Sequence, residues 1–260
     1  MEGLTDSRDQ RRIERAVILA AGRGTRLGRL TADRPKPLIP VRGRPVLEHI
    51  VAGIAAAGIR DIVLVVGYRR EQVEAHFGDG SRLGVAVRYA VQETLNGTGG
   101  ALAAAEEMAG AAPFLLSFGD ILTDPGHYQL LLDEFSQSLC EAVLGINPVE
   151  DPALGAAVYL DGERVVRVVE KPPPGTAGTR WNLAGVYAFS PAIFHALRGV
   201  RPSPRGEIEL TSAIGGLIES GACVRACRLN AFWSDIGSLE ALARAEALWP
   251  FSDGSASPRG

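Results

Sequence analysis

The stretch AVILAAGRGTRLGRLTADRPKPLIPV, from Ala16 to Val41, joins a short apolar run to a glycine-rich loop that carries four arginines and one lysine. The apolar run is typical of a buried first strand, and a loop that leaves the carboxyl end of such a strand lies where α/β sheets bind ligands. Gly22 and Gly24 let the loop backbone approach a ligand and expose its N–H groups, which suits phosphate binding. Neither GxGxxG nor GxxxxGK[ST] fits the spacing, so another mode of phosphate binding is predicted.

The same stretch ends with a lysine between two prolines, in the sequence RPKPL. Pro35 and Pro37 restrict the backbone on both sides of Lys36 and so hold its charge in a defined place. A lysine that is merely solvated needs no such frame. Lys36 is therefore predicted to belong to the binding site of the loop.

The composition is that of an ordinary globular protein, with 46% hydrophobic and 22% charged residues among 260. The formal net charge of −3 gives no basic excess that would mark a nucleic-acid binder. No apolar run approaches the roughly 18 residues of a membrane-spanning helix. We therefore expect a cytoplasmic protein whose partners are small molecules, with no nucleic acid and no membrane; a homo-oligomer stays open.

The three cysteines are Cys140, Cys223 and Cys227. Their number is odd, and three residues rather than two separate the last pair. This pattern does not favour a metal knuckle or a disulfide framework, so buried or inert thiols in a reducing compartment are expected.

The order of apolar segments predicts an α/β protein. Up to about residue 140, short apolar runs alternate with segments of helical period, which is typical of βαβ units and a parallel sheet. Beyond that point several strands follow one another with turns such as Asp161-Gly162, which predicts antiparallel or mixed sheet, and helices return later. Residues 1–15 and 251–260 are predicted as polar tails around one domain, 16–250.

The opening motif, LAAGRGTRLxxLTxxxPKPLxPVxGRP, closely resembles the signature of the sugar-1-phosphate nucleotidylyltransferases, also called NDP-sugar pyrophosphorylases. Further segments follow in that family's order: Gln92-Glu93 with Gly97-Thr98, FGD at Asp120, VEKP at Glu170-Lys171, NLAGVY from Asn182 to Tyr187, GEIELT from Gly206 to Thr211, and WSDIG at Asp235. The resemblance implies a Rossmann-like, mixed and mainly parallel sheet with helices on both faces and an inserted sugar-binding portion. It also implies a nucleotide-binding half at about 16–140 and a sugar-binding half at about 141–250.

The reaction that the resemblance implies is NDP-sugar biosynthesis, in which a nucleoside triphosphate and a sugar 1-phosphate give an NDP-sugar and pyrophosphate. A phosphate monoester is largely dianionic at neutral pH, so it attacks without a general base. The enzyme has to align two polyanions and neutralise charge on the leaving group. This agrees with motifs rich in Arg, Lys and Asp, and with no convincing Ser/His/Asp or Cys/His set.

The resemblance assigns roles to individual residues by motif. The implied catalytic cations are Arg26, Lys36 and Lys171, of which Lys171 would bind the sugar phosphate. The implied nucleotide-binding residues, with Gln92 reading the base, are Ala20, Ala21, Gly22, Gly24, Thr25, Gln92, Gly97 and Thr98. The implied sugar-binding residues are Gly155, Glu170, Asn182, Gly185 and Glu207. The implied ligands of Mg²⁺, an ion that prefers oxygen donors, are Asp120 and Asp235.

Two departures from the commonest family pattern leave the substrates open. Ala21 stands where glycine is frequent, and TLNGTGGA replaces a loop that usually contains proline. The spacing between Gln92 and Gly97 favours UTP or dTTP, and a GTP- or CTP-using relative is the alternative. A non-catalytic regulatory or sensor relative is a second alternative, but the cations and aspartates that such a protein would lose are all present.

Overall fold

The computed structural model describes residues 11–250. The predicted C-terminal tail, 251–260, and residues 1–10 of the predicted N-terminal tail lie outside the described residues. The rest of the N-terminal segment is packed against the domain, because Arg11 donates to the backbone carbonyls of Phe135 and Cys140. Arg15, assigned to the tail by the sequence, begins the first strand.

The regular elements are numbered here in chain order. The strands are β1 (Arg15–Leu19), β2 (Pro40–Val41), β3 (Arg44–Pro45), β4 (Asp61–Val66), β5 (Ala86–Val91), β6 (Phe114–Phe118), β7 (Ile121–Thr123), β8 (Ala142–Pro148), β9 (Ala156–Asp161), β10 (Arg164–Glu170), β11 (Trp181–Phe189), β12 (Val224–Arg228) and β13 (Trp233–Asp235). The α-helices are α1 (Val46–Ala56), α2 (Arg70–Phe77), α3 (Thr98–Ala104), α4 (Glu106–Ala109), α5 (Gly126–Gln137), α6 (Ala192–Arg198), α7 (Leu210–Glu219) and α8 (Leu239–Leu248). Within residues 11–250, no helix has the length and apolar character to cross a bilayer.

One sheet of nine strands runs through both halves of the chain, in the order β5-β4-β1-β6-β11-β8-β12-β10-β9. The first four strands are mutually parallel. β11 is antiparallel to both β6 and β8, and β10 is antiparallel to both β12 and β9, so these two strands run against the other seven. The predicted α/β fold with a mixed sheet is confirmed.

Apolar side chains cover both faces of this sheet. In β1, Ala16 and Ile18 face the core formed with α1, α2, α5 and α8, whereas Val17 faces the core formed with α3, α4, α6 and α7. A strand buried on both faces needs a continuous apolar sequence, which the opening run supplies. The layered arrangement leaves the carboxyl ends of β1 and β6 open for a ligand site.

Several element boundaries follow from local sequence signals. α1 ends at Ala56, and the following Gly58 has a φ of 94°, as expected for a glycine that stops a helix. β9 and β10 are joined at Asp161-Gly162 as an antiparallel pair. Ser238 caps α8, since its hydroxyl accepts a hydrogen bond from the Ala241 N–H at 3.1 Å.

Other elements were not predicted from the sequence. β7 and β13 have three residues each and pair only with one another. They are too short for a periodic sequence pattern to predict them. α5 begins at a glycine after Pro125, a residue whose side chain cannot cap the helix. The segment GGALAAAEEMAG before β6 has a helical pattern throughout, but the helix is broken at Ala105 into α3 and α4. The loop after β1 contains two short 3-10 segments, Thr25–Thr31 and Lys36–Leu38.

The prediction of unpaired thiols is wrong for two of the three cysteines, because Cys140 and Cys223 form a disulfide. These residues lie just before β8 and β12, neighbouring parallel strands in which Ala142 is opposite Val224. Spacing along the chain does not show this proximity, which depends on the register of the sheet. Cys227 is free, and burial raises the pKa of its thiol to about 11, as expected for an inert thiol.

Candidate active site

Two adjoining cavities open at the carboxyl ends of β1 and β6. The loop cavity, about 810 Å³, is lined by the loop after β1 and the segment after β5. The strand cavity, about 1160 Å³, is lined by β8, β11 and the segment before β13. Both cavities share the residues Thr98, Phe118, Asp120, Glu170 and Lys171. Ligands placed in the two cavities would therefore meet at Asp120 and Lys171.

The glycine-rich loop is fitted closely over Lys36. Gly24 has a φ of 66°, and a Cβ at that position would lie 2.7 Å from the Cβ of Lys36. Glycine at this position thus permits both the left-handed backbone and the passage of the lysine stem. Two backbone hydrogen bonds anchor the start of the loop, one from Ala20 N–H to Val65 O at 2.8 Å and one from Tyr68 N–H to Ala21 O at 3.1 Å.

Lys36 lies between two carboxylates at the junction of the cavities. It is only 8% exposed. Its Nζ donates to Oδ2 of Asp120 and, at 3.4 Å, to Oδ1 of Asp235. Burial by itself would lower the pKa of Lys36, but the two aspartates outweigh burial and raise it. The ammonium group is therefore held charged and in one position.

Asp120 and Asp235 come together through the short strand pair that the sequence did not reveal. In β7 and β13, Asp235 is opposite Ile121, and the Ile236 N–H donates to Asp120 O at 2.9 Å. Burial and the nearby Asp120 charge raise the pKa of Asp235, although Lys36 and Arg26 act in the opposite direction. A pair of crowded carboxylates favours binding of a further cation.

The donor set at this pair fits Mg²⁺. Among the described residues, no group of three or more His, Cys, Asp or Glu side chains could hold a metal ion. Mg²⁺ is commonly bound by one or two carboxylates, with the remaining oxygen ligands supplied by water and substrate phosphates. Asp120 and Asp235 are carboxylates of this kind, and each lines a cavity large enough for a phosphorylated ligand.

The segment after β5 is tied to the segment before α7. Gly97 has a φ of 101°, and a Cβ there would lie 2.6 Å from Ile208 O. The Gly99 N–H donates to Ile208 O at 2.8 Å, and the Thr98 hydroxyl accepts from the Leu210 N–H at 3.1 Å. The Thr98 side chain therefore helps to begin α7. Gln92 is buried beside this segment and lines the loop cavity.

An ionic cluster lies at the edge shared by both cavities, around Glu170. Its Oε2 accepts from the Thr211 hydroxyl at 2.7 Å, and its Oε1 lies 3.8 Å from Lys171 Nζ. Lys171 has a φ of 42°, a strained conformation for a residue with a side chain and one that is frequent at functional sites. Its N–H donates to Gly155 O at 2.7 Å, which fixes the end of β10.

Arg205 is a candidate site residue that the sequence analysis missed. Its guanidinium lies 3.6 Å from Glu170, 3.5 Å from Glu207 and 2.7 Å from Glu209. It lines the loop cavity together with Lys171. The available signal was its position directly before the GEIELT segment.

Two asparagines in the strand cavity have buried oxygens without a hydrogen-bond donor. Asn147 and Asn182 are directly opposite one another in β8 and β11 and are 7% and 8% exposed. No described group donates to the Oδ1 atom of either residue. A buried acceptor without a partner is costly, so a ligand that donates to these atoms would be favoured. Asn147 was not predicted from the sequence.

Two glycines near these asparagines are required by close contacts. A Cβ on Gly155 would overlap the side-chain amide of Asn182. Gly185 has a φ of 76°, and a Cβ there would lie 2.7 Å from Ile121 Cγ1, next to Asp120. Both residues line the strand cavity.

The structure thus brings most of the predicted residues to the two cavities. Those that line both cavities are Thr98, Asp120, Glu170 and Lys171. Those that line only the loop cavity are Ala20, Ala21, Gly22, Lys36, Gln92, Gly97 and Glu207. Those that line only the strand cavity are Arg26, Gly155, Asn182, Gly185 and Asp235. Gly24 and Thr25 line neither cavity, and Glu207, expected among sugar ligands, lies on the loop side.

The chain is similar to known proteins over most of its length. Residues 15–249 match the profile of the family described as Nucleotidyl transferase. The low-salt glycan biosynthesis nucleotidyltransferase Agl11 of Haloferax volcanii is 35% identical over 90% of this chain and 65% of that protein. The UTP–glucose-1-phosphate uridylyltransferase AglF of the same organism is 36% identical over 85% of this chain and 90% of that protein.

A solved structure has the same fold. It is a Bacillus anthracis protein assigned as a glucose-1-phosphate thymidylyltransferase, in complex with sucrose; it superposes with a TM-score of 0.84 at 26% identity and covers 93% of this chain and 97% of that one. The fold is therefore shared over almost the whole chain, whereas only part of the length of Agl11 is matched.

Proposed function

Because this chain belongs to the nucleotidyl transferase family, we propose that it transfers a nucleotidyl group from a nucleoside triphosphate to a sugar 1-phosphate. The observation that carries this proposal is the pair of adjoining cavities with Lys36, Asp120 and Asp235 where they meet. A triphosphate in the loop cavity and a sugar phosphate in the strand cavity would place their phosphates side by side.

In this reaction a phosphate oxygen of the sugar 1-phosphate attacks the α-phosphorus of the triphosphate. A new P–O bond forms, the bond between the α-phosphorus and its bridging oxygen breaks, and pyrophosphate leaves with the electron pair. The attacking phosphate is already largely dianionic, so no proton has to be removed. The work of the protein is to align the two phosphates and to stabilise negative charge that grows on the leaving group.

The cations of the site suit these tasks. Lys36 is fixed at the junction by its prolines and by two carboxylates, and Arg26 lines the strand cavity next to Asp235. We assign Lys36 to the triphosphate and the departing pyrophosphate, and Arg26, which lies near Asp235 on the strand side, to the phosphates where the two substrates meet. Lys171 lies beside Glu170 and lines both cavities, and we assign it to the phosphate of the sugar substrate.

Asp120 and Asp235 are the proposed ligands of Mg²⁺. When bound, the ion would supply positive charge to the phosphate oxygens of both substrates. Asp120 and Asp235 would fix the position of that charge at the end of β6 and β13. Lys36, which contacts both carboxylates, would keep their oxygens close together before the substrates bind.

The strand cavity is proposed to hold the sugar. Asn147 and Asn182 offer buried acceptor oxygens, and Glu170 offers a carboxylate. Hydroxyl groups of a sugar ring are donors of the kind that these oxygens lack. The relatives AglF and the Bacillus anthracis protein are named for glucose 1-phosphate, and we propose a hexose 1-phosphate here with UTP or dTTP as the nucleotide.

A screen for pyrophosphate release tests the proposal. UTP, dTTP, GTP, CTP and ATP are each combined with hexose, amino-sugar and heptose 1-phosphates in the presence of Mg²⁺. Release is expected with at least one pair and should require both substrates. Absence of release over the whole panel, with a folded protein that binds nucleotides, would favour the regulatory alternative.

A further inference from the structure

The side chain of Gln92 is held by its amide nitrogen. Nε2 donates to Oδ1 of Asn96 at 3.0 Å and to the backbone carbonyl of Gly97 at 3.1 Å. A backbone carbonyl can only accept, so the amide nitrogen rather than the oxygen must face Gly97. With both of its N–H groups used in this way, the orientation of the Gln92 amide is fixed.

Asn96 is itself held in place by the surrounding chain. Its N–H donates to Thr94 O at 2.8 Å, and its carbonyl accepts from the Ile208 N–H at 2.6 Å. A Cβ on Gly100, in the first turn of α3, would overlap the Asn96 side-chain oxygen. Glycine is a poor helix former, and its presence here is explained by the space that it leaves for this amide.

With the amide nitrogen held, the Gln92 oxygen and the neighbouring Gly97 N–H are available to a ligand in the loop cavity. Among residues 11–250, no group donates a hydrogen bond to Oε1 of Gln92, and no group accepts one from the Gly97 N–H. Both residues line the loop cavity, and Gln92 is only 7% exposed. The cavity therefore offers an acceptor from Gln92 beside a donor from Gly97.

We propose that Asn96 is a positioning residue for base selection, which acts by holding the Gln92 amide with its oxygen toward the bound base. This inference rests on the proposed function, since it takes the loop cavity to be the nucleotide site. An acceptor beside a donor matches a base edge in which a ring N–H lies next to a carbonyl, as in uracil, thymine and guanine. Cytosine and adenine present the reverse order, a ring nitrogen acceptor next to an amino group.

The experiment measures binding of UDP and CDP, which differ only at this edge, by isothermal titration calorimetry. The wild-type protein should bind UDP at least about tenfold more tightly than CDP, and Asn96→Ala should reduce that ratio by about tenfold, since one oriented hydrogen bond is lost. Asn96→Asp retains an oxygen that accepts from Nε2, so it should keep the preference. Gly100→Ala, which displaces the Asn96 side chain, should resemble Asn96→Ala and carries the test if that variant does not fold.

Gly215→Ala is the matched control, because Gly215 lies in α7 with open space where its Cβ would be. It should leave the UDP-to-CDP ratio unchanged. A merely structural role for Asn96 would lower the melting temperature and leave the ratio intact, which would overturn the inference. So would a wild-type protein without a preference for UDP. Because binding needs no turnover, selective binding of UDP without pyrophosphate release would contradict the proposed function and leave the inference standing.

Discussion

The loop cavity and the strand cavity differ in how their polar groups are satisfied before any ligand binds. On the loop side, Gln92 is already paired with Asn96 and Gly97, and Lys36 at the junction is paired with two aspartates. On the strand side, the oxygens of Asn147 and Asn182 have no donor. The Lys36 charge and the Gln92 amide nitrogen are thus held in position by the protein itself, whereas the two asparagine oxygens are satisfied only by a ligand.

Under the proposed function, this difference fits the separate demands of binding and catalysis on the two regions. Charges that stabilise a transition state have to be in place before the reaction, so their positions are fixed by internal contacts. Groups that select a substrate gain most when the correct ligand satisfies them and the wrong ligand leaves them unpaired. The substitutions below test whether the two regions fail in these two different ways.

The largest effect is expected at Asp120 and Asp235, which belong to the junction of both regions. Asp120→Asn and Asp235→Asn should each lower kcat by about a thousandfold, because each removes a proposed ligand of the metal ion. The double variant should be only slightly worse than either single one, since groups that act as a unit are not additive. The measurement is kcat across a Mg²⁺ titration. Losses that multiply, or an unchanged Mg²⁺ dependence, would show that the carboxylates do not share an ion.

A smaller effect is expected for the preorganised cation. Lys36→Ala should lower kcat by about a hundredfold and leave the KM for the sugar phosphate within about threefold, because the proposed charge contact strengthens as pyrophosphate leaves. Steady-state kinetics at saturating Mg²⁺ measures both constants. Arg29→Ala is the control, since Arg29 lies in the same loop, is exposed and lines neither cavity. An unchanged kcat in Lys36→Ala would exclude this role.

On the strand side, Asn147→Ala should act on binding rather than on the chemical step. The KM for the sugar phosphate should rise about tenfold, while kcat and the KM for the triphosphate stay nearly constant. The unliganded protein should lose no stability, because the substitution removes a buried acceptor that has no partner. Kinetics and thermal unfolding together decide the point. A lower melting temperature with an unchanged KM would instead indicate a structural role for Asn147.

The smallest effect on the reaction is expected far from both cavities, at Glu48 in α1. Burial would raise the pKa of this carboxyl, but hydrogen bonds from His76, Arg82 and Arg44 outweigh it and lower the pKa from 4.5 to about 2. A lowered pKa stabilises the folded state above about pH 4.5, and this contribution disappears as the pH falls toward about 2. Glu48→Gln should therefore cost at most about 3 kcal/mol at pH 7.

Urea unfolding at several pH values measures this contribution. The difference between wild type and Glu48→Gln should be largest near pH 7 and should shrink as the pH falls below 4.5, while kcat stays unchanged. Glu163→Gln is the control, because Glu163 pairs with Arg228 on the surface and surface ion pairs contribute little. A difference that is independent of pH would show that the charge of Glu48 does not contribute.

The sequence by itself determined the features that local chemistry dictates. The apolar run before Gly22, the proline frame of Lys36, the glycine after α1 and the Asp161-Gly162 turn each act within a few residues of themselves. Helical period and turn preference are short-range properties, so they can be recognised without knowledge of the fold. The resemblance of the ordered motifs then predicted the family and a set of site residues, most of which line the two cavities.

Only the tertiary structure decided which distant residues meet. Asp120 and Asp235 share Lys36 through β7 and β13, which are too short to show a pattern. The opposition of Asn147 and Asn182, the Cys140–Cys223 disulfide and the contact between Asn96 and Gly100 likewise follow from strand register and loop packing. Register is set by burial of whole strand faces and by neighbouring elements, so no residue carries a local signal of its partner across the sheet.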